Sequence, residues 1–250
     1  MKKLVIANFK MNPATADEAS DLAQFYSGKV KGLENVEFVA ALPFIFLSDV
    51  LKKGIAAAAQ NCFHKDVGAY TGEVSPLALK NLGVQYVIIG HSERRRMGET
   101  DEIIGKKLQA AARNGLIPIL CVGETQEEKE AGQKEAVLEW QISQALGNWK
   151  LEIRNFQLVI AYEPVWAIGT GLVCDPDEAS KTMEFIEETI GNWKLGIRNL
   201  TLIYGGSVDA NNIKGFLVKQ NISGALVGGA SLKKDEFVKI LEIANFYPVK

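Results

Sequence analysis

"IPILCVGETQEEKEAGQKEAVLEWQISQAL", Ile117–Leu146, runs from a short apolar stretch into a longer segment with helical spacing, and a second apolar run, Leu158–Tyr162, follows downstream. The first run, Ile117–Val122, is the length of a strand, whereas Glu127–Leu146 is amphipathic at a helical period, so the unit reads strand, helix, strand. Such a unit makes a right-handed crossover between parallel strands. The strands are continuously apolar rather than alternating, which predicts a sheet covered on both faces. The same pattern recurs outward in both directions. Strand-like runs occupy Leu4–Ala7, Val36–Leu42, Ile55–Gln60, Tyr86–Ile89, Leu200–Tyr204 and Gly224–Val227, with helix-competent segments such as Asp101–Arg113 and Glu178–Ile190 between them. Eight strand–helix units in 250 residues match an α/β (β/α)8 barrel, eight parallel strands surrounded by helices. A doubly wound open sheet is the runner-up. No Pro-, Ser- or Gly-rich linker interrupts the series, which predicts a single domain over 1–250.

Helix starts are marked as well. Thr15 with Glu18 and Asp175 with Glu178 read as capping boxes, and Pro76 and Pro176 suit first helical positions. "GNWKLEIRN" at Gly147–Asn155 returns as "GNWKLGIRN" at Gly191–Asn199, too short a match to establish a repeat architecture.

Composition excludes several classes of function. A hydrophobic fraction of 47% with a formal net charge of -2 argues against disorder and against a nucleic-acid footprint. The longest apolar stretch, Phe38–Leu47, is about half a membrane span and contains Pro43, so no membrane segment is expected. The apolar run after Met1-Lys2-Lys3 breaks at Asn8 and Lys10, unlike a secretory leader. Cys62, Cys121 and Cys174 are odd in number and lack paired metal-ligand spacing, and the chain has only two histidines; a reducing cytoplasm fits best.

In a barrel, chemistry sits at the carboxyl ends of the strands. Strand 1 ends in "ANFKMN", and if Ile6 points inward, so do Asn8 and Lys10. Strand 4 ends in "IIGHSERRR", which places His91 at a strand terminus, with Ser92 as a possible cap. A helix start beside that ring would favour neutral imidazole. Glu163 closes strand 6 ahead of bulky Pro164, Val165 and Trp166, where exclusion of water makes a carboxylate a stronger general base. After strands 7 and 8 come "YGGSV", Tyr204–Val208, and "VGGAS", Val227–Ser231. Paired Gly-Gly turns at neighbouring strand ends let backbone N–H groups converge on an anion, which implies a phosphorylated small molecule. The loop Asn61–Ser75 is long, and its Val67, Ala69 and Tyr70 favour docking onto something.

Taken in order, "NFKMN", "GAYTGE", "GHSERR", "LCVGE", "AYEPVWAIGTG", "YGGSV" and "GGASL" resemble the triosephosphate isomerase family, nearly end to end. The resemblance implies a TIM barrel that interconverts dihydroxyacetone phosphate and D-glyceraldehyde 3-phosphate through an enediolate, in glycolysis and gluconeogenesis, with neither cofactor nor metal. By resemblance Glu163 is the base, His91 the electrophile, Lys10 the electrostatic stabiliser and Asn8 a hydrogen-bonding partner of the reacting substrate, so that all four are catalytic and Asn8 and Lys10 also bind substrate, with Glu93 the carboxylate beside the lysine. Gly169, Ser207, Gly228 and Gly229 resemble the phosphate grip. The lid is Pro164, Val165, Trp166, Ala167, Ile168, Gly169, Thr170 and Gly171. The family is a homodimer, and Asn61–Ser75 resembles the arm that enters the partner, bringing Thr71 near the partner's Asn8 and Lys10. Two departures stand out: Phe9 where the family has tryptophan, and Leu172-Val173-Cys174 where it places a lysine or similar residue and then small ones. A different phosphate-binding barrel, such as a sugar-phosphate isomerase of biosynthesis, would explain the Gly-Gly turns but not Lys10, His91 and Glu163 together. A barrel that only binds a phosphosugar, or an inactive scaffold retaining the motifs, is the alternative from another class.

Overall fold

A computed structural model describes residues 2–147, 156–193 and 197–248. Its strands are β1 (Lys3–Asn8), β2 (Val36–Leu42), β3 (Ala56–Ala59), β4 (Tyr86–Ile89), β5 (Ile117–Val122), β6 (Phe156–Tyr162), β7 (Ile197–Tyr204) and β8 (Gly224–Val227). They pair in parallel, in chain order, and close into a barrel. The helices are α1 (Ala16–Lys29), α2 (Leu47–Lys52), α3 (Pro76–Leu82), α4 (Ser92–Arg96), α5 (Asp101–Arg113), α6 (Gln126–Glu130), α7 (Lys134–Leu146), α8 (Pro176–Asn192), α9 (Ile213–Leu217) and α10 (Lys234–Asn245).

Alternation along each strand divides the core into two layers. Leu4 and Ile6 of β1 point into the barrel with Val39, Ala41, Ile88, Ile119, Val159 and Leu226, while Val5 and Ala7 face the helices. Both layers are apolar, which is why the strands read as unbroken runs. The ring closes where Leu4 of β1 lies beside Gly224 of β8. A Cβ on Gly224 would stand 1.8 Å from the Leu4 carbonyl oxygen, so only glycine allows the two strands to meet there.

Several sequence expectations need correction. The single helix expected over Glu127–Leu146 is two helices, because Gly132 turns the chain at φ +68 and the Gln133 N–H bonds back to the Glu128 carbonyl. Thr15 caps α1 by accepting from the Glu18 N–H, yet the Glu18 carboxylate reaches the Ala14 N–H, so no reciprocal box forms. Asp175 caps α8 through the N–H groups of Asp177 and Glu178, again one-sidedly. The complete capping box belongs to α6, between Thr125 and Glu128. Pro76 and Pro176 do open α3 and α8. The near-repeat at Gly147–Asn155 and Gly191–Asn199 falls largely outside the described residues. Among the described residues, no helix is long and apolar enough to cross a membrane.

Candidate active site

The carboxyl ends of β1, β4, β6, β7 and β8 surround one cavity of about 240 Å³. Asn8, Lys10, His91 and Glu163 line it, as do Gly169, Ser207, Gly228 and Gly229. Residues far apart in sequence thus meet because parallel strands all end on the same side.

Lys10 follows β1 with φ 53, in the left-handed region that non-glycine residues rarely occupy. Its neighbours hold it there. The Asn8 side-chain oxygen accepts the Lys10 N–H at 3.1 Å, and the Gln60 amide donates to the Lys10 carbonyl at 2.7 Å. Its ammonium then reaches the cavity and pairs with Glu93 at 2.5 Å. Burial pushes the Glu93 carboxyl up, but the Lys10 hydrogen bond and the charges around it prevail and hold it below the ordinary range. Glu93 is therefore an anion that fixes the lysine.

His91 precedes α4, and its own ring, rather than Ser92, is the cap: Nδ1 accepts the Glu93 N–H at 3.2 Å. A ring nitrogen that accepts carries no proton, so the imidazole is neutral with its hydrogen on Nε2. That nitrogen lies 3.4 Å from Oε1 of Glu163.

Glu163 is only 2% exposed. Its Oε2 accepts the Ser92 N–H at 3.1 Å, whereas Oε1 is buried with no hydrogen-bond partner among the described residues. That oxygen faces a cavity in which a substrate could sit within its reach. Beside it, burial and then the charge of Glu163 push the Cys121 thiol well above its usual range, leaving a protonated neighbour. The backbone is packed just as closely: a Cβ on Gly123 would come within 1.7 Å of the Glu163 carbonyl oxygen.

The opposite wall is made of turns. Gly205 and Gly206 precede Ser207, and Gly229 opens a short 3-10 turn, Gly229–Leu232, whose first N–H groups lack partners within the turn. The Ser207 hydroxyl is committed to the Ala167 carbonyl and its own carbonyl accepts from the Asn212 amide, so the backbone N–H is the group it could offer an anion. Ile168 and Gly169, on the segment that follows β6, also line the cavity. Among the described residues no cluster of His, Cys, Asp or Glu is suited to a metal ion.

Thr71 does not line this cavity; it is exposed on the long loop after β3. One participant carries no role in the sequence reading. Glu124, wholly buried, accepts from the Trp166 indole at 2.8 Å and from the Tyr162 hydroxyl at 3.1 Å. Its position after β5, within "LCVGE", was the available signal.

A family model described as triosephosphate isomerase matches residues 3–244. Triosephosphate isomerases of Dehalococcoides mccartyi strains BAV1 and CBDB1 are each 44% identical to the chain over 248 residues, covering 96% of this chain and 96% of the relative.

Proposed function

The chain belongs to the triosephosphate isomerase family, and on that premise we propose how its own residues interconvert dihydroxyacetone phosphate and D-glyceraldehyde 3-phosphate, a step of glycolysis. The substrate phosphate rests against the backbone of Gly169, Ser207, Gly228 and Gly229. This puts the carbonyl between Lys10 and His91 and the adjacent carbon before Glu163. Glu163 leaves the Ser92 N–H and removes a proton from that carbon. Charge builds on the carbonyl oxygen, where the Lys10 ammonium and the His91 Nε2–H stabilise the enediolate. His91 moves a proton between the two oxygens, and Glu163 returns its own to the neighbouring carbon. Triosephosphate isomerase is itself a standard illustration of a carboxylate base paired with a neutral histidine. Charge stabilisation of the oxyanion is what brings so weak a carbon acid within reach.

The observation that carries the assignment is the buried, unpartnered Oε1 of Glu163 beside a neutral imidazole. A barrel that merely held a phosphosugar would have no need of that pair. In a coupled assay with glyceraldehyde 3-phosphate, Glu163→Gln should lose about three orders of magnitude or more in kcat, the scale of removing an essential proton-transfer group. Full activity in this variant would refute the base.

We also read 1–250 as one domain and the working enzyme as a homodimer in the cytoplasm. Three buried, unpaired thiols support a reducing compartment. For the dimer, support comes from exposed apolar side chains on consecutive loops: Met11 after β1, Ile45 after β2, Val67 and Tyr70 after β3, and Met97 after β4. Neighbouring strands bring these loops to one side of the barrel mouth, and apolar surface gathered in this way marks an interface.

A further inference from the structure

The stretch Glu124–Lys129 touches the lid from two directions. Along one edge, the buried Glu124 carboxylate accepts the Trp166 indole N–H at 2.8 Å. Over the ring face, Lys129 Nζ lies 3.4 Å from the indole centroid. The same ammonium is 3.5 Å from Oε1 of Glu178, which Lys134 also approaches at 3.3 Å. Trp166 belongs to the hinge where the chain enters the lid. Glu178 stands in the first turn of α8, just past the hinge where it leaves. One cation therefore bridges both ends of the moving segment, and the complete capping box of α6 holds that cation's own helix in place.

We infer that Lys129 is a positioning residue that ties the two lid hinges together over the occupied cavity and so sets affinity for the substrate; this rests on the isomerase reading above. The lid contacts fit that role. With Trp166 pinned, the Ala167 carbonyl accepts from the Ser207 hydroxyl and Gly169 reaches the cavity. The ring contact carries more weight than the ion pair, because both Lys129 and Glu178 are about a third exposed and Lys134 remains on Glu178 if Lys129 is lost. A cation over a half-buried indole is worth about three- to ten-fold in an equilibrium.

The test compares the parent with Lys129→Met, Lys129→Arg and Lys134→Met, using calorimetric binding of a phosphorylated hydroxamate that mimics the enediolate, steady-state kinetics and thermal melting. Lys129→Met should weaken hydroxamate binding and raise KM by about three- to ten-fold without a matching loss of thermal stability. Lys129→Arg should restore both, and Lys134→Met, which spares the ring, should change binding less than about two-fold. Unchanged hydroxamate affinity in Lys129→Met, or failure of arginine to restore it, overturns the inference. So does a loss of affinity accounted for by lowered stability. A parent that binds the hydroxamate but turns over no triose phosphate would defeat the catalytic reading alone, since the binding comparison still decides the role of Lys129.

Discussion

Lys3 is a charged side chain folded into the wall between barrel and helices. It is 2% exposed, its ammonium donates to the Ile222 carbonyl at 2.6 Å, and among the described residues no carboxylate lies within ion-pair distance. Burial lowers its pKa from the ordinary 10.5 to about 8. Below pH 8 both folded and unfolded chains are protonated, and the fold carries the cost of a desolvated charge. Between pH 8 and 10.5 the unfolded chain binds the extra proton, so stability rises with pH across that window. At about 1.4 kcal/mol per unit, the rise amounts to at most about 3 kcal/mol. Urea unfolding at pH 7.5 and pH 10 should show this gain in the parent relative to Lys3→Met; parallel changes in the two proteins would contradict it. At this scale the sequence put Asn8, Lys10, His91 and Glu163 at or just past strand ends, and the structure brings those four to one cavity. It was silent on Lys3 and Glu124, because burial of a polar side chain depends on what packs over it, not on its neighbours in the chain.

Among elements, the lid shows the same division. Its entry is rigid: Pro164 restricts the backbone, the Val165 N–H bonds to the Glu124 carbonyl, and Trp166 is held at edge and face. Its exit is another matter. Gly169 and Gly171 adopt φ +70 and +80, after which Leu172 and Val173 are about half exposed while Cys174 is fully buried. If this segment closes as a lid, two apolar side chains left in water beside it would alter its closing equilibrium without touching the cavity. Replacing them with the family-like pattern, Leu172→Lys with Val173→Ala, should change kcat by about two- to five-fold, equivalent to 0.5–1 kcal/mol, while Lys10, His91 and Glu163 keep their positions. Unaltered turnover would show that this hinge does not govern the lid. Strand and helix identities were legible from periodicity, down to the boundaries of β2, β4, β5, β8 and α5. The break at Gly132 was not, because "KEAGQKE" keeps a helical period and only the glycine's positive φ interrupts it.

For the whole molecule, counting strand–helix units was enough to reach a barrel, since seven right-handed crossovers carry eight strands round until the last pairs with the first. Which side of that barrel gathers the apolar surface of the proposed dimer required three dimensions. Met11, Ile45, Val67, Tyr70 and Met97 are scattered in sequence, yet the order β1-β2-β3-β4 brings their loops together. Thr71 lies on the longest of these loops and does not line its own cavity, which fits the proposed reach into another chain's. In the proposed dimer Lys10 would gain from such a neighbour, because among the described residues its backbone, at φ 53, is held by the Asn8 and Gln60 contacts. Thr71→Arg places a bulky charge where the arm would enter. Sedimentation equilibrium should then give the parent twice the chain mass and the variant a single chain, with kcat/KM lowered by about 10²-fold, the scale of a small displacement of catalytic groups. Far-ultraviolet circular dichroism should be unchanged, since the arm contributes no strand or helix. A parent that sediments as a monomer at full activity would remove the dimer, and with it the reason for Thr71 to stand so far from its own site.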